Sequence, residues 1–379
     1  MKNRIKTQVI VISLFFLVLL SPWLTVLARL SKVAVGILGN DYSVSAVEIL
    51  KQAKGGKSNL KCFIKKNPKL LYDIVNALNG YGGWKFLFID YFGAVQKCLK
   101  KNYATDADKG KNLYRVNKHY LASVVPKRDM TDISERLLHL NTLLKEKRID
   151  LIYVQVPDKV CKYNPGLPRG VKEYGNENAD KFLKLIQQGG VSTIDLRDEL
   201  HRSGMDHSSM FFHTDHHWKP ESGLWASLTI LDKLLKKYHF DVDPQIRDIN
   251  NYQKTYLSSC FLGSWGKRIG RYYEKPDDFT VISPKFDTKF QSIIEDQKEE
   301  TGTFDEVLTD KQNLQCSNSH NSCHYLYYTG RDYALQKIKN LKSRNHFKIF
   351  WIKDSFSCVT MPFMALFCED LVVVDLIFI

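Results

Sequence analysis

The sequence predicts an α/β domain, a parallel sheet flanked by helices, on two observations. From Thr131 onward, segments of helical spacing alternate with short apolar strands. Two of those strands also run into polar residues where α/β proteins place their ligands, at the C-terminal edge of a sheet. These are Asp158-Lys159, after the strand closed by Pro157, and Asp354-Ser355, after the strand Phe347 to Ile352. A third observation concerns where such a domain would work: no charged residue stands between Lys6 and Arg29.

The elements follow in chain order. Residues 1–7 form a basic tail, and residues 8–28 an apolar stretch whose centre, Val9 to Leu27, can cross a bilayer at about 1.5 Å rise per residue. The positive charges of Lys2, Arg4 and Lys6 place the N terminus in the cytoplasm and the body outside. A cleaved signal peptide ending near Val26-Leu27-Ala28 is the alternative, and it exports the body too. Residues 29–125 hold short apolar runs, Leu71 to Leu78 and Trp84 to Phe92, among lysine clusters, and are expected to form a helical stalk or cap.

The main domain is expected over 126–379. Ile133, Leu137, Leu140 and Leu144 mark the apolar stripe of a helix, Ile149 to Val156 a strand, Asp180 to Gln188 a helix, and Val191 to Leu196 a strand. Pro220 suits a first helical turn, and Leu224, Leu228, Leu231 and Leu235 give that helix its buried face. Residues 241–330, rich in Gly, Asp, Ser and Tyr, are expected to be an irregular insertion serving as lid or subdomain. A helix near Tyr333 to Leu341, a helix over Phe356 to Phe367 and a last strand from Leu371 to Val374 complete the expectation.

The chain has 379 residues, a hydrophobic content of 44% and a charged content of 25%, so disorder is not the default. Its formal charge of +14 favours an anionic neighbour: an acidic polymer, a lipid surface or nucleic acid. Nucleic acid is set aside, because no zinc-finger spacing, RNA-binding aromatic pattern or long basic helix occurs. The eight cysteines include no CxxC pair; Cys316 and Cys323 are the nearest couple, and free buried thiols are the alternative.

The residues able to do chemistry sit in two short segments. Phe211-Phe-His-Thr-Asp-His-His-Trp218 supplies Asp215 and His217, and Lys353-Asp-Ser-Phe-Ser357 supplies Ser355. If the first segment is extended, His213, Asp215 and His217 share a face and His216 points away. Asp215 would then fix the tautomer of His217, which would take the Ser355 proton, as in an acyl-transfer triad. A zinc site and an ordinary polar loop are alternatives for the histidine cluster, and helix capping is the alternative for Ser355. The strand-to-helix turn would aim backbone N–H groups, that of Phe356 among them, at an oxyanion. Ser264, Lys267 and Arg268, in the glycine-punctuated run Phe261 to Gly270, are candidates for contacting substrate, with a solvated turn as the alternative. Trp218, with Trp265, could form a sugar platform or belong to the core. Lys159 is a further candidate at the sheet edge. There is no phosphate-cradling glycine loop, and no cofactor is expected.

Thr214-Asp-His-His-Trp218, Phe261-Leu-Gly-Ser264 through Lys267-Arg268, and Lys353 to Ser357 with Pro362-Phe363 resemble the family named for its Asp-His-His-Trp motif. That family is related to the SGNH-hydrolase-like domains of AlgX and AlgJ. Asn176 to Asp180, Ile194 to Arg197 and Val374 to Leu376 support the likeness, which spans roughly residues 130–376. The resemblance implies an exported SGNH-hydrolase-like, flavodoxin-like domain that moves acetyl groups onto a cell-surface polysaccharide. Ser355 would be its nucleophile, His217 its base and Asp215 the orienting carboxylate. A membrane-bound O-acyltransferase would supply the acetyl groups. Lys353 stands where the wider superfamily has Gly, and the chain stops at Ile379 where relatives continue with Arg, a helix and a strand. A truncated sheet edge is therefore expected. A carbohydrate acetylesterase and a non-catalytic glycan-binding scaffold are the rival readings.

Overall fold

The structure, a computed structural model, describes residues 82–379 apart from 108, 118, 296–297, 315–319, 321–322, 329–332 and 379. The expected span over 8–28, the run Leu71 to Leu78 and Cys316 lie outside the described residues. Among the described residues, no helix is long and apolar enough to cross a membrane. Trp84–Ile379 forms one compact unit.

The unit begins with α1 (Gly82–Cys98) and a small antiparallel sheet of β1 (Tyr103–Thr105), β2 (Asn112–Val116) and β3 (Tyr120–Ala122). Next come α2 (Thr131–Glu146), β4 (Ile152–Gln155), α3 (Gly175–Gln188), β5 (Ser192–Asp195) and α4 (Leu196–Ser203). β4 and β5 pair in parallel, joined by α3, which is the crossover that the alternating pattern predicts. In α2 the buried stripe is turned by one residue from the expected one. Ser134 and Asn141 are buried while Ile133 is 51% exposed, because Ser134 tucks its hydroxyl onto the Met130 carbonyl and leaves room for close packing.

α5 (Pro220–Tyr238) has its proline in the first turn, where no N–H is needed. Its buried face is wider than the leucine stripe, taking in Gly223, Ala226, Ser227, Ile230 and Leu234. The stretch expected to be irregular is mostly strand. β6 (Tyr252–Phe261) and β7 (Asp277–Pro284) form an antiparallel ribbon around the four-residue α6 (Gly266–Ile269). β8 (Phe290–Ile294) and β9 (Lys298–Gly302) join the main sheet, followed by α7 (Phe304–Val307). The polar composition misleads because these strands bury only one face: Phe279 and Ile282 are fully covered while Tyr256 is 68% exposed.

The expected helix near Tyr333 to Leu341 is instead β10 (Leu335–Asn340), whose buried Gln336, Ile338 and Asn340 alternate with exposed lysines. β11 (Lys348–Lys353) leads into a 3₁₀ turn, Ser355–Val359, and then α8 (Met361–Met364). One continuous helix was expected there; Pro362 lacks an N–H and restarts the helix at its own first turn. β12 (Asp370–Asp375) returns parallel to β11. The main sheet has the order β11-β12-β10-β8-β9 and is mixed, since only β11 and β12 run parallel. The predicted all-parallel sheet is thus replaced by two parallel pairs, one of them inside a five-stranded mixed sheet. A single large core joins α5, the ribbon, the sheet and α8. Cys98, Cys161 and Cys368 are free thiols.

Candidate active site

The loop between Phe211 and Trp218 is closed by a lone antiparallel bridge between those two residues. It is bent, not extended, so the side chains do not alternate. The buried Asp277 at the head of β7 clamps it. One carboxylate oxygen accepts from the His213 backbone N–H (2.6 Å) and the other from the N–H and hydroxyl of Thr214 (2.9 and 2.6 Å). His213 therefore pairs with Asp277, its Nδ1 lying 2.8 Å from that carboxylate, and takes no part in the triad.

Asp215 and His217 do meet. Asp215 Oδ1 accepts from the His217 backbone N–H at 3.0 Å and lies 2.6 Å from His217 Nδ1, while His217 Nε2 lies 2.8 Å from Ser355 Oγ. The Ser264 backbone N–H donates to the other Asp215 oxygen. Burial works to raise the pKa of Asp215, but the hydrogen bond and charge of His217, helped by His216 and that N–H, hold it far below the usual carboxylate range. A carboxylate fixed in this way keeps the His217 proton on Nδ1 and leaves Nε2 to act as base toward the serine.

Two glycines permit this assembly. A Cβ on Gly263 would come within 2.3 Å of the Asp215 Cβ, so the loop after β6 reaches the carboxylate only without a side chain. A Cβ on Gly223 would meet the Val359 carbonyl oxygen at 2.1 Å, so α5 can press directly on the turn that carries Ser355. The glycine-punctuated run thus brings its backbone against Asp215.

His217 is sandwiched. Tyr325, fully buried, stacks on one side at 4.1 Å and 14°, and His216 lies against the ring at 3.6 Å. The two rings make rotation of His217 out of the triad costly. His216 does not point away. Its Nδ1 is 3.0 Å from Ser264 Oγ and 3.4 Å from Asp215 Oδ1, and burial lowers its pKa to about 4 against the pull of Asp215. Its ring lines a cavity of about 470 Å³ with Phe86, Ile89, Lys109, Ser264, Lys267 and Arg268.

The other candidates divide. Ser264, Lys267 and Arg268 line that cavity, but Ser264 spends its N–H on Asp215 and its hydroxyl on His216, and Arg268 is paired with buried Asp106 at 3.2 Å. Trp218 is 1% exposed and donates to the Phe356 carbonyl (2.8 Å), so it is core and not a sugar platform. The Phe356 N–H, expected at the oxyanion, donates to Asp354 Oδ1 at 3.0 Å; Asp354 caps the turn more effectively than Ser355 could. Lys159 is buried and does not face a substrate. Its ammonium lies over Trp265 and donates to the carbonyls of Leu121 (2.8 Å) and His213 (3.2 Å), and burial lowers its pKa to about 7 despite Asp277 and Asp215.

Asp277, Tyr325 and the positioning role of Gly263 were not found in the sequence. Asp277 heads an alternating strand, which is a usable signal; for Tyr325 no signal exists. Asp215, His216 and His217 bring one possible metal ligand each within 4.8 Å of one another. Within this cluster Asp215 is hydrogen-bonded to the His217 ring, and the His216 ring to Ser264.

Residues 113–248 match the family model of the SGNH hydrolase-like domain of the acetyltransferase AlgX. That segment contains Asp215 and His217, and Ser355 lies beyond it. No curated protein matches the chain. Among solved structures, Bacillus cereus PatB1 is 19% identical, covers 70% of this chain and 87% of its own, and superposes with a TM-score of 0.56. A DHHW family protein from Eubacterium siraeum is 20% identical, covers 73% and 86%, and gives 0.52. At such identities the likeness is one of fold. Residues 113–248 are thus similar to the SGNH hydrolase-like domain of AlgX, and the chain carries a mixed α/β domain that shares its fold with PatB1 and the Eubacterium siraeum DHHW protein.

Proposed function

We propose that this protein is an extracytoplasmic O-acetyltransferase that acts on a cell-surface polysaccharide through an acetyl-Ser355 intermediate. The observation that carries the reading is the continuous chain of hydrogen bonds from Asp215 through His217 to Ser355 Oγ. Ser355 attacks the acetyl donor while its proton passes to His217 Nε2, which then protonates the leaving group. Asp215 stabilises the imidazolium so formed. With the N–H groups of Phe356 and Ser264 both engaged, the oxyanion falls to the N–H of Ser355 itself. In the second half an acceptor hydroxyl gives its proton to His217 and takes the acetyl group. A water acceptor would make the same site an esterase.

The relation to an AlgX-type acetyltransferase domain supports acetyl as the group moved. The apolar stretch over residues 8–28 supports a single membrane anchor with the domain outside, supplied by a membrane-bound O-acyltransferase. The test is the intact mass of the protein after exposure to a small activated acetyl ester. One acetyl on the wild type and none on Ser355→Ala is expected; an adduct that survives Ser355→Ala, or none on folded wild type, would refute the reading.

A further inference from the structure

The cavity beside the triad is rich in donors and poor in acceptors. Among the lining side chains, Lys109, Lys267 and Arg268 can only donate, Phe86 and Ile89 are apolar, and Ser264 Oγ already accepts from His216 Nδ1, which leaves its O–H to donate. His216 differs from all of these. Its Nδ1 faces the Asp215 carboxylate and Ser264, which keeps the ring proton there and leaves Nε2 with a free lone pair. The ring is 38% exposed and lies against His217, the base of the triad. At about 470 Å³ the space falls within the range of small-molecule sites, about 300–1,000 Å³.

A carboxylate or phosphate needs only donors. A hydroxyl both accepts and donates, so a ligand with several hydroxyls needs an acceptor as well. We propose that this cavity is the acceptor subsite and that His216 Nε2 orients a polyhydroxylated acceptor, a sugar ring, by accepting a hydrogen bond from a second hydroxyl of that sugar. The inference rests on the acetyl-Ser355 reading and adds to it what distinguishes sugar from water. In the transfer step the bond between the acceptor oxygen and the acetyl carbon forms as the Ser355 Oγ–carbon bond breaks. The acceptor proton moves to His217 Nε2 and from there to Ser355 Oγ. His216 holds the neighbouring hydroxyl throughout and exchanges no proton.

The experiment loads Ser355 with acetyl from an activated ester and follows loss of the adduct by mass in 1,2-propanediol or, separately, in 1-propanol. For each acceptor the ratio of transfer to acylation is read. The wild type is expected to favour the diol by about two- to tenfold, the size of one net hydrogen bond. His216→Phe should abolish that preference and His216→Gln, which keeps an acceptor oxygen, should restore part of it. Equal ratios in the wild type, or a preference that survives in His216→Phe, would overturn the role of His216 while leaving the serine intermediate standing. Failure to load folded wild type at all would instead remove the acetyl-serine reading and this inference with it.

Discussion

The two halves of the candidate site are built differently. The base half, residues 213–217, is fixed from several directions: Asp277 clamps its backbone, Gly263 and Ser264 press on Asp215, and His216 and Tyr325 enclose His217. Most of this is buried, and almost every polar atom has a partner. The nucleophile half stands on the end of one edge strand. Ser355 is partly exposed and its hydroxyl is held by His217, while its backbone is placed by the Asp354 cap, by α5 pressing through Gly223, and by a buried ion pair between Lys353 and Asp375. A proton acceptor gains from rigidity, because its tautomer and its distance must both be right before reaction. A nucleophile must also reach a substrate and tolerate a covalent adduct, which suits a mount on a strand end.

This contrast makes predictions about stability. The largest effect belongs to Asp277. Asp277→Ala would leave the N–H groups of His213 and Thr214 and the Thr214 hydroxyl without a buried partner, at about 1–3 kcal/mol each. That approaches the whole stability of an ordinary domain, about 5–15 kcal/mol. Urea unfolding should show a nearly unfolded protein; a small midpoint change would mean that the base half is not held from β7.

Next comes the ion pair behind the nucleophile. Lys353→Met strands the Asp375 charge and should cost about 3–5 kcal/mol, whereas the double change Lys353→Met with Asp375→Leu should recover most of it. Urea midpoints of the two variants, measured side by side, decide this. If the double variant is as unstable as the single one, the pair holds the turn by geometry and not merely by charge balance.

A third effect, spread over a range of pH, is the contribution of Lys159. Its folded pKa, about 7, lies below its ordinary 10.5, so between those values the unfolded chain binds the proton more firmly. Stability should therefore rise as pH climbs from about 7 toward 10.5 and be flat in this contribution below that window. Lys159→Met should remove the slope, as read from urea midpoints across the same range.

The contrast also explains what the sequence disclosed. Asp215, His217 and Ser355 lie in short local patterns, and the parallel pair β4 and β5 follows from apolar periodicity; both were legible. Asp277 reaches the site from far along the chain at the head of a strand with polar exposed positions, and Tyr325 from a 3₁₀ turn, His324–Tyr328; residues 241–330 consequently read as loop. In the sequence Lys159 is a sheet-edge candidate, and for Trp218 the core is one of two readings; both serve the scaffold here, because a polar or aromatic residue beside a motif can support the motif as readily as bind its substrate. The run Phe261 to Gly270 reads as a place for contacting substrate; only the fold could show that Gly263 in it approaches Asp215.

The most direct test of the account is whether the triad works as one unit. The rate at which an activated acetyl ester loads Ser355 should be measured in the wild type, Asp215→Asn, His217→Ala and the double variant. If Asp215 acts only through His217, the double variant should load no more slowly than His217→Ala alone. Losses that multiply, with the double variant slower than either single one by the product of their effects, would show that the two residues act independently and would contradict the triad.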